Sequence, residues 1–87
     1  MRAKIKIADA ANVMVPAYLT LLQKGFTVRW CNINDDPEQE LWFAEDATRE
    51  FVADGPVALL GLVCVHEARG NDWQASDEQI EDFLSKY

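Results

Sequence analysis

The stretch GPVALLGLVCVHEARG, residues 55–70, is the most hydrophobic part of the chain and decides its fold. The spacing of its apolar residues fits a buried strand as well as a buried helix. The two ends favour a helix, because Pro56 suits a first helical turn and Gly70 suits the position after the last turn. We therefore predict a central buried helix over residues 56–68.

Upstream of this helix, the local patterns predict a strand–helix–strand unit. Residues 2–8 alternate between basic and aliphatic side chains, as in a strand with one face in water. A helix is predicted over 13–24, because apolar residues recur there at helical spacing and Gly25 follows as a stop. The β-branched and aromatic residues of 26–33 predict a second strand, parallel to the first through a right-handed crossover.

The remaining residues predict two helices and one segment that fits either a strand or a helix. Residues 40–44 fit either a third, antiparallel strand or the start of the next helix. Acidic side chains at the start of 45–53 predict a helix of about two turns. Ser76 and Gln79 form a capping-box pattern, which predicts a terminal amphipathic helix over 77–86.

These elements predict a single α+β domain over residues 1–87. We expect a small two-layer βαβ(β)ααα architecture, with a two- or three-stranded sheet and helices packed mainly on one face. The longest apolar run has ten residues, about half the length of a bilayer span, and the first residues show no apolar signal region. The expectation is therefore a cytoplasmic protein that does not enter a membrane and whose two cysteines are free thiols.

The residue types that carry catalysis or bind metals do not form a complete motif. His66 and Glu67 begin an HExxH pattern, but Gly70 stands where the second histidine is required, and the chain has one histidine. On a helix, Cys64 and His66 point about 200° apart, which rules out a nucleophile–base pair. We therefore predict no catalytic residues, no metal site and no cofactor, with Cys64 in the core and His66 at the helix end.

Charge is distributed unevenly along a chain whose net charge is −7. Residues 1–34 hold five bases and one acid, whereas residues 35–65 hold eight acids and one base. This balance argues against nucleic-acid binding. It fits a protein partner with a basic surface, although acidic side chains also keep small proteins soluble. The candidate partner-binding residues are Asp35, Asp36, Glu38 and Glu40.

The open face of the predicted sheet is a second candidate surface. Arg29 shares this face with the lysines of the first strand, and either Trp42 or the Leu41/Phe43 pair joins it if 40–44 is a strand. Such a face can bind an anionic ligand or single-stranded nucleic acid, pair with a second copy, or simply be solvated. The candidate residues of this ligand face are Lys4, Lys6, Arg29 and Trp42.

Three classes of function follow from these surfaces. The first, which we favour, is a non-enzymatic interaction protein with a basic partner. In size, acidity and lack of catalytic motifs the chain resembles bacterial immunity proteins, and this resemblance implies an inhibitor of a toxic nuclease. The second class is a module that binds an anionic ligand, and the third is a small enzyme, which the lack of a positioned nucleophile disfavours. A homodimer, through the open sheet face or helix 55–70, is a separate prediction.

Overall fold

The structure is a computed structural model that describes residues 3–36 and 38–87. These residues form a three-stranded antiparallel sheet and three α-helices, which confirms the predicted α+β class. Two short 3-10 turns, Ala11–Val13 and Ile33–Asp35, connect them. The main elements are α1 (Met14–Gln23), β1 (Thr27–Asn32), β2 (Glu40–Glu45), β3 (Glu50–Ala53), α2 (Pro56–Arg69) and α3 (Asp77–Lys86).

The sheet has the order β1-β2-β3, with both neighbouring pairs antiparallel. Residues 40–44 are therefore part of a strand, which was one of the two structures that the sequence pattern allowed. The register places Val28, Ala44 and Phe51 in one row across the three strands. Because side chains alternate along a strand, every second row counted from this one lies on the same face of the sheet, and that face carries the core.

Helices α1 and α2 cover that face of the sheet. Leu21 from α1 and Leu59 and Val63 from α2 are fully buried and pack with Phe26 and Ala44 in one cluster. The predicted helix over 56–68 is confirmed, and it contacts α1, β2 and β3.

Only one side of α2 is buried, however. Leu62 and Val65 lie beside the buried residues, next to Trp73, and are about 40% exposed. Cys64 is exposed as well, so its predicted place in the core is wrong. The physical reason is that a helix with apolar side chains all round is enclosed only where elements pack on both of its sides. In the described part of the chain, the sheet and α1 cover one side alone.

The helix predicted over 45–53 is wrong, because these residues form a turn followed by β3. The carboxylate of Asp46 accepts hydrogen bonds from the backbone amides of Thr48 at 3.0 Å and Arg49 at 2.8 Å. The amide of Asp46 donates in turn to the carbonyl of Arg49 at 3.0 Å. An aspartate that captures amides two and three residues ahead stabilises a turn as readily as a helix start. Here the turn joins β2 to β3.

The strand predicted over 2–8 is also wrong. Residue 2 lies outside the described residues, and residues 3–9 form neither a strand nor a helix and are all exposed. Ile5, for example, is 91% exposed. An alternating pattern produces a strand only where a sheet edge supplies hydrogen-bond partners, and in the described chain the sheet begins at β1. The parallel strand–helix–strand unit is therefore absent from the described residues.

Helix α3 has the predicted bounds, and its capping box is formed. The amide of Gln79 donates to the Ser76 hydroxyl at 3.2 Å, and the amide of Ser76 donates to Oε1 of Gln79 at 2.9 Å. Every residue from 71 to 87 is exposed, so α3 stands outside the core. No helix in the described ranges is both long and apolar enough to cross a membrane.

Candidate interaction surfaces

Three of the four predicted partner-binding acids, Asp35, Asp36 and Glu38, lie on the loop between β1 and β2, and the fourth, Glu40, is the first residue of β2. We call residues 33–40 the acidic loop. The last cross-strand pair, Asn32 with Glu40, leaves residues 33–39 as the connection. The amide of Ile33 donates to the carbonyl of Gln39 at 2.7 Å, which closes the base of this loop. The side-chain amide of Asn32 donates to the carbonyl of Asp36 at 3.1 Å. The described residues of the acidic loop, 33–36 and 38–40, are therefore joined by hydrogen bonds at its base.

Each acid has a distinct place in the acidic loop. Asp35 and Glu38 are exposed, whereas Asp36 and Glu40 are half-buried. A carboxylate oxygen of Asp36 accepts the amide of Glu38 at 2.9 Å, and one of Glu40 accepts the indole N–H of Trp42 at 3.3 Å. These bonds leave the second oxygen of each carboxylate for other donors.

The backbone of this loop also passes through an uncommon conformation. Asn34 and Asp35 have φ angles of 53° and 58°, in the left-handed region that aspartate and asparagine tolerate better than most residues. Among residues 3–36 and 38–87, none of the ion pairs involves the four acids of the loop. The loop therefore concentrates negative charge that the described chain does not neutralise.

The predicted ligand face is not assembled. The register pairs Arg29 with Phe43 and Trp30 with Trp42, so Trp42 lies on the helix side of the sheet and Phe43 on the open side. The placement of Trp42 beside Arg29 is therefore wrong, and the Leu41/Phe43 alternative is confirmed. Trp42 instead packs 6.4 Å from Trp30, centroid to centroid, and lines a groove of about 350 Å³ beside α1.

The basic residues of that predicted face are also separated. Lys4 and Lys6 lie in the exposed segment 3–9 rather than on the sheet. The guanidinium of Arg29 lies 3.5 Å from the Glu50 carboxylate and 4.5 Å from the centroid of the Phe43 ring. The charge of Arg29 is therefore partly balanced within the chain.

Sequence reasoning missed a cluster around Arg49. Nε and Nη2 of Arg49 donate to the same carboxylate oxygen of Asp46, at 3.0 and 2.8 Å. The guanidinium also lies over Phe26, at 5.0 Å from the ring centroid, and over Phe51, at 5.7 Å. These contacts tie the β2–β3 turn to the edge of the core.

The same guanidinium reaches His66 on α2. Nη1 of Arg49 lies 3.4 Å from Nδ1 of His66, and Nε2 of His66 lies 2.9 Å from Oδ1 of Asn71. Because arginine has only donors, Nδ1 of His66 accepts, and Nε2 carries the proton and donates to Asn71. Both ring nitrogens are engaged, so His66 acts as a link between the turn and the residues after α2.

Electrostatics in this Arg49 cluster follow from its hydrogen bonds. The side chain of Arg49 and the amides of Thr48 and Arg49 hold the pKa of the Asp46 carboxyl below its usual value. Outside this cluster, the Lys24 ammonium lies 2.8 Å from the Glu67 carboxylate and likewise lowers the pKa of Glu67. The cluster is a structural clamp, in which the charged groups are already paired. The only sequence signal for this cluster is the Asp-x-x-Arg spacing of Asp46 and Arg49, which is typical of a turn. The contact with His66 could not be predicted, because His66 follows Arg49 by 17 residues.

The remaining reactive side chains are dispersed. Cys31 and Cys64 are both free and exposed. Within residues 3–36 and 38–87, no group of three or more His, Cys, Asp or Glu side chains is placed to hold a metal ion.

Fold and surfaces together define a small α+β domain in which two helices cover one face of a three-stranded antiparallel sheet. No protein-family model, no curated protein and no solved structure matches this chain.

Proposed function

We propose that this protein is a non-enzymatic interaction protein that binds a protein partner with a basic surface. The observation that carries the proposal is the acidic loop, in which four carboxylates lie at the end of the hairpin formed by β1 and β2. None of them is paired with a base in the described chain. The binding residues are Asp35, Asp36, Glu38 and Glu40.

The hydrogen bonds of the loop support this proposal energetically. A loop whose described residues are already hydrogen-bonded to one another loses less conformational entropy when it binds than one without such bonds. Its unpaired charge, on a chain of net charge −7, attracts a basic surface over a distance of about 10 Å at moderate salt. Both effects favour rapid and selective association with a cationic protein.

The specific form that we propose is an inhibitor in the manner of bacterial immunity proteins, acting in the cytoplasm on a basic enzyme such as a nuclease. Size and acidity support this form. A competing function, the binding of an anionic ligand by the sheet, has less support, because Arg29 is partly balanced by Glu50 and the two lysines lie away from the sheet.

The experiment is affinity capture of the partner from the native source, followed by association kinetics. The test variant changes the four loop acids to their amides: Asp35→Asn, Asp36→Asn, Glu38→Gln and Glu40→Gln. Amide oxygens can still accept the bonds from Glu38 and Trp42, so the loop is expected to keep its shape.

A matched control removes the same charge from exposed acids outside the loop: Asp9→Asn, Asp72→Asn, Glu78→Gln and Glu81→Gln. We expect the loop variant to associate about tenfold more slowly at low salt, with the difference shrinking at high salt, and the control to change little. Equal effects of the two variants, or the absence of any captured basic protein, would overturn the proposal.

A further inference from the structure

The chain exposes more surface than a folded monomer of its size. Its accessible area is 7,290 Å², whereas a compact protein of 9.9 kDa exposes about 5,200 Å², so the excess is about 2,000 Å². The radius of gyration of 15.8 Å likewise exceeds the roughly 12 Å expected for 87 residues. Part of this excess comes from the exposed segment 3–9, and part from α3.

Helix α3 carries an apolar stripe that its own chain does not bury. The stripe follows helical spacing, and its members are between 46% and 91% exposed. They are Ile80, Phe83 and Leu84 on α3 and Tyr87 directly after its last residue. Isolated helices of ten residues are marginal in water, and most helical stability in proteins comes from packing an amphipathic face. This stripe therefore requires a covering surface.

The connection from α2 directs α3 away from the core of its own chain. Asn71 is hydrogen-bonded to His66, and Nε of Arg69 donates to the carbonyl of Trp73 at 2.8 Å. The Trp73 side chain lines a cavity of about 190 Å³ together with Leu62 and Val65. Only residues 74–76 remain before α3 begins, so the anchored linker sets the direction in which the helix leaves.

A suitable covering surface lies on the outer side of α1. Val15, Leu19 and Leu22 are spaced as one helical stripe and are between 42% and 60% exposed. Residues 14–23 contain no charged side chain. The α1 stripe and the α3 stripe both extend over seven residue steps, about 10 Å of helix. Their lengths and their apolar character therefore match.

We propose that a second copy of this chain covers the stripe, with α3 of each copy packed on the α1 stripe of the other around a two-fold axis. Each chain carries both surfaces once, so a reciprocal pair buries both. Direct contact between two α3 helices is disfavoured, because each helix carries four acids against one base. The uncharged α1 presents no such repulsion.

The excess area fits this assembly. Obligate homodimers bury about 2,000–5,000 Å² in total over both chains. An excess of about 2,000 Å² on each chain is about 4,000 Å² for the pair, so the contact falls within that range even if segment 3–9 accounts for part of the excess. This homodimer contact is separate from the acidic loop and does not depend on it.

The experiment is analytical ultracentrifugation of the full chain over a wide concentration range. We expect a mass near twice 9.9 kDa. Phe83→Glu on α3 and Leu19→Glu on α1 each place a charge in the buried contact and are expected to weaken dimerisation roughly 100-fold. Ser85→Glu adds the same charge on the opposite side of α3 and serves as the matched control, with a mass unchanged from the natural chain.

Two further measurements keep the test decisive if a variant fails to fold. The unfolding temperature of the natural protein is expected to rise with its concentration, as it does for a dimer. Isotope-filtered NMR on a mixture of labelled and unlabelled chains is expected to show intermolecular contacts between Leu19 and Phe83. A mass of 9.9 kDa at every concentration, or contacts of Phe83 within its own chain only, would overturn the proposal.

Discussion

Nη1 of Arg49 lies 3.4 Å from Nδ1 of His66 and thereby connects the β2–β3 turn to helix α2. The two residues are 17 positions apart, and the contact is part of a chain of bonds that runs from Asp46 to Asn71. The sole histidine of the protein is thus held at both ring nitrogens.

The first prediction concerns the tautomer of His66. Since Arg49 donates to Nδ1, the neutral ring is expected to carry its proton on Nε2. Nitrogen-15 NMR of the imidazole at neutral pH measures this directly. Arg49→Ala removes the donor and is expected to shift the ring toward a mixture of tautomers, whereas Arg29→Ala leaves the spectrum unchanged. A ring protonated on Nδ1 in the natural protein would contradict the hydrogen-bond pattern.

A second prediction concerns the stability supplied by Arg49. Its side chain is only 24% exposed and lies over two aromatic rings, so Arg49→Ala is expected to cost about 2 kcal/mol. Arg49→Lys keeps the charge but loses the planar fork, and is expected to recover part of that loss. Urea unfolding gives both values.

The control for Arg49 is Arg29→Ala, which removes an arginine that is 56% exposed and 3.5 Å from its carboxylate partner. This change is expected to cost less than about 1 kcal/mol. Arg29 also lies over a ring, so the two arginines differ chiefly in burial and in the bonds to Asp46. Equal losses at Arg49 and Arg29 would show that this burial and these bonds contribute nothing.

The third prediction is a pH dependence that originates at Asp46. Its pKa in the folded protein is lowered, chiefly by the hydrogen bond from Arg49, so in acid the unfolded chain binds more protons than the folded one. The stabilisation is present above the unfolded pKa of about 3.9 and is lost as pH falls through the lower folded value.

Urea midpoints measured between neutral pH and pH 2 test this prediction. Asp46→Asn is expected to flatten the decline of stability in acid, and the part that remains is expected to include Glu67, whose pKa is also lowered. Parallel curves for the natural protein and Asp46→Asn would refute the assignment.

The fourth prediction concerns the two sides of α2. Leu59 is fully buried, so Leu59→Ala is expected to cost about 2–5 kcal/mol through lost burial and a residual cavity. Leu62 on the same helix is 41% exposed, and Leu62→Ala is expected to cost about 1 kcal/mol in the monomer. Thermal unfolding of both variants at low concentration makes the comparison. A large loss at Leu62 would mean that this side is covered.

Helices α1, α2 and α3 were predictable from sequence because their signals are local. Pro56 and Gly70 bracket α2, and the capping box of Ser76 and Gln79 begins α3. These signals operate within one or two helical turns and need no distant partner. The acidic loop was likewise predictable, since loop residues cluster between two apolar segments.

Strand pairing was not predictable in the same way. Asp46 begins a turn rather than a helix because residues 50–53 pair with β2. Residues 3–8 have an alternating pattern as well, but in the described chain they pair with no strand. The face occupied by Trp42 depends on the register, and a shift of one residue exchanges the two faces. The clamp between Arg49 and His66 follows from that same pairing.

The amino-acid sequence by itself therefore determined the three helices, the acidic loop and the α+β class, because capping, helical periodicity and turn chemistry act between near neighbours. Tertiary structure alone decided which segments joined the sheet, which side of each strand met the helices, and that α3 stood clear of the core. The physical reason is that hydrogen-bond ladders and buried contacts join residues distant in the chain, and their free energy exists only once the partners meet.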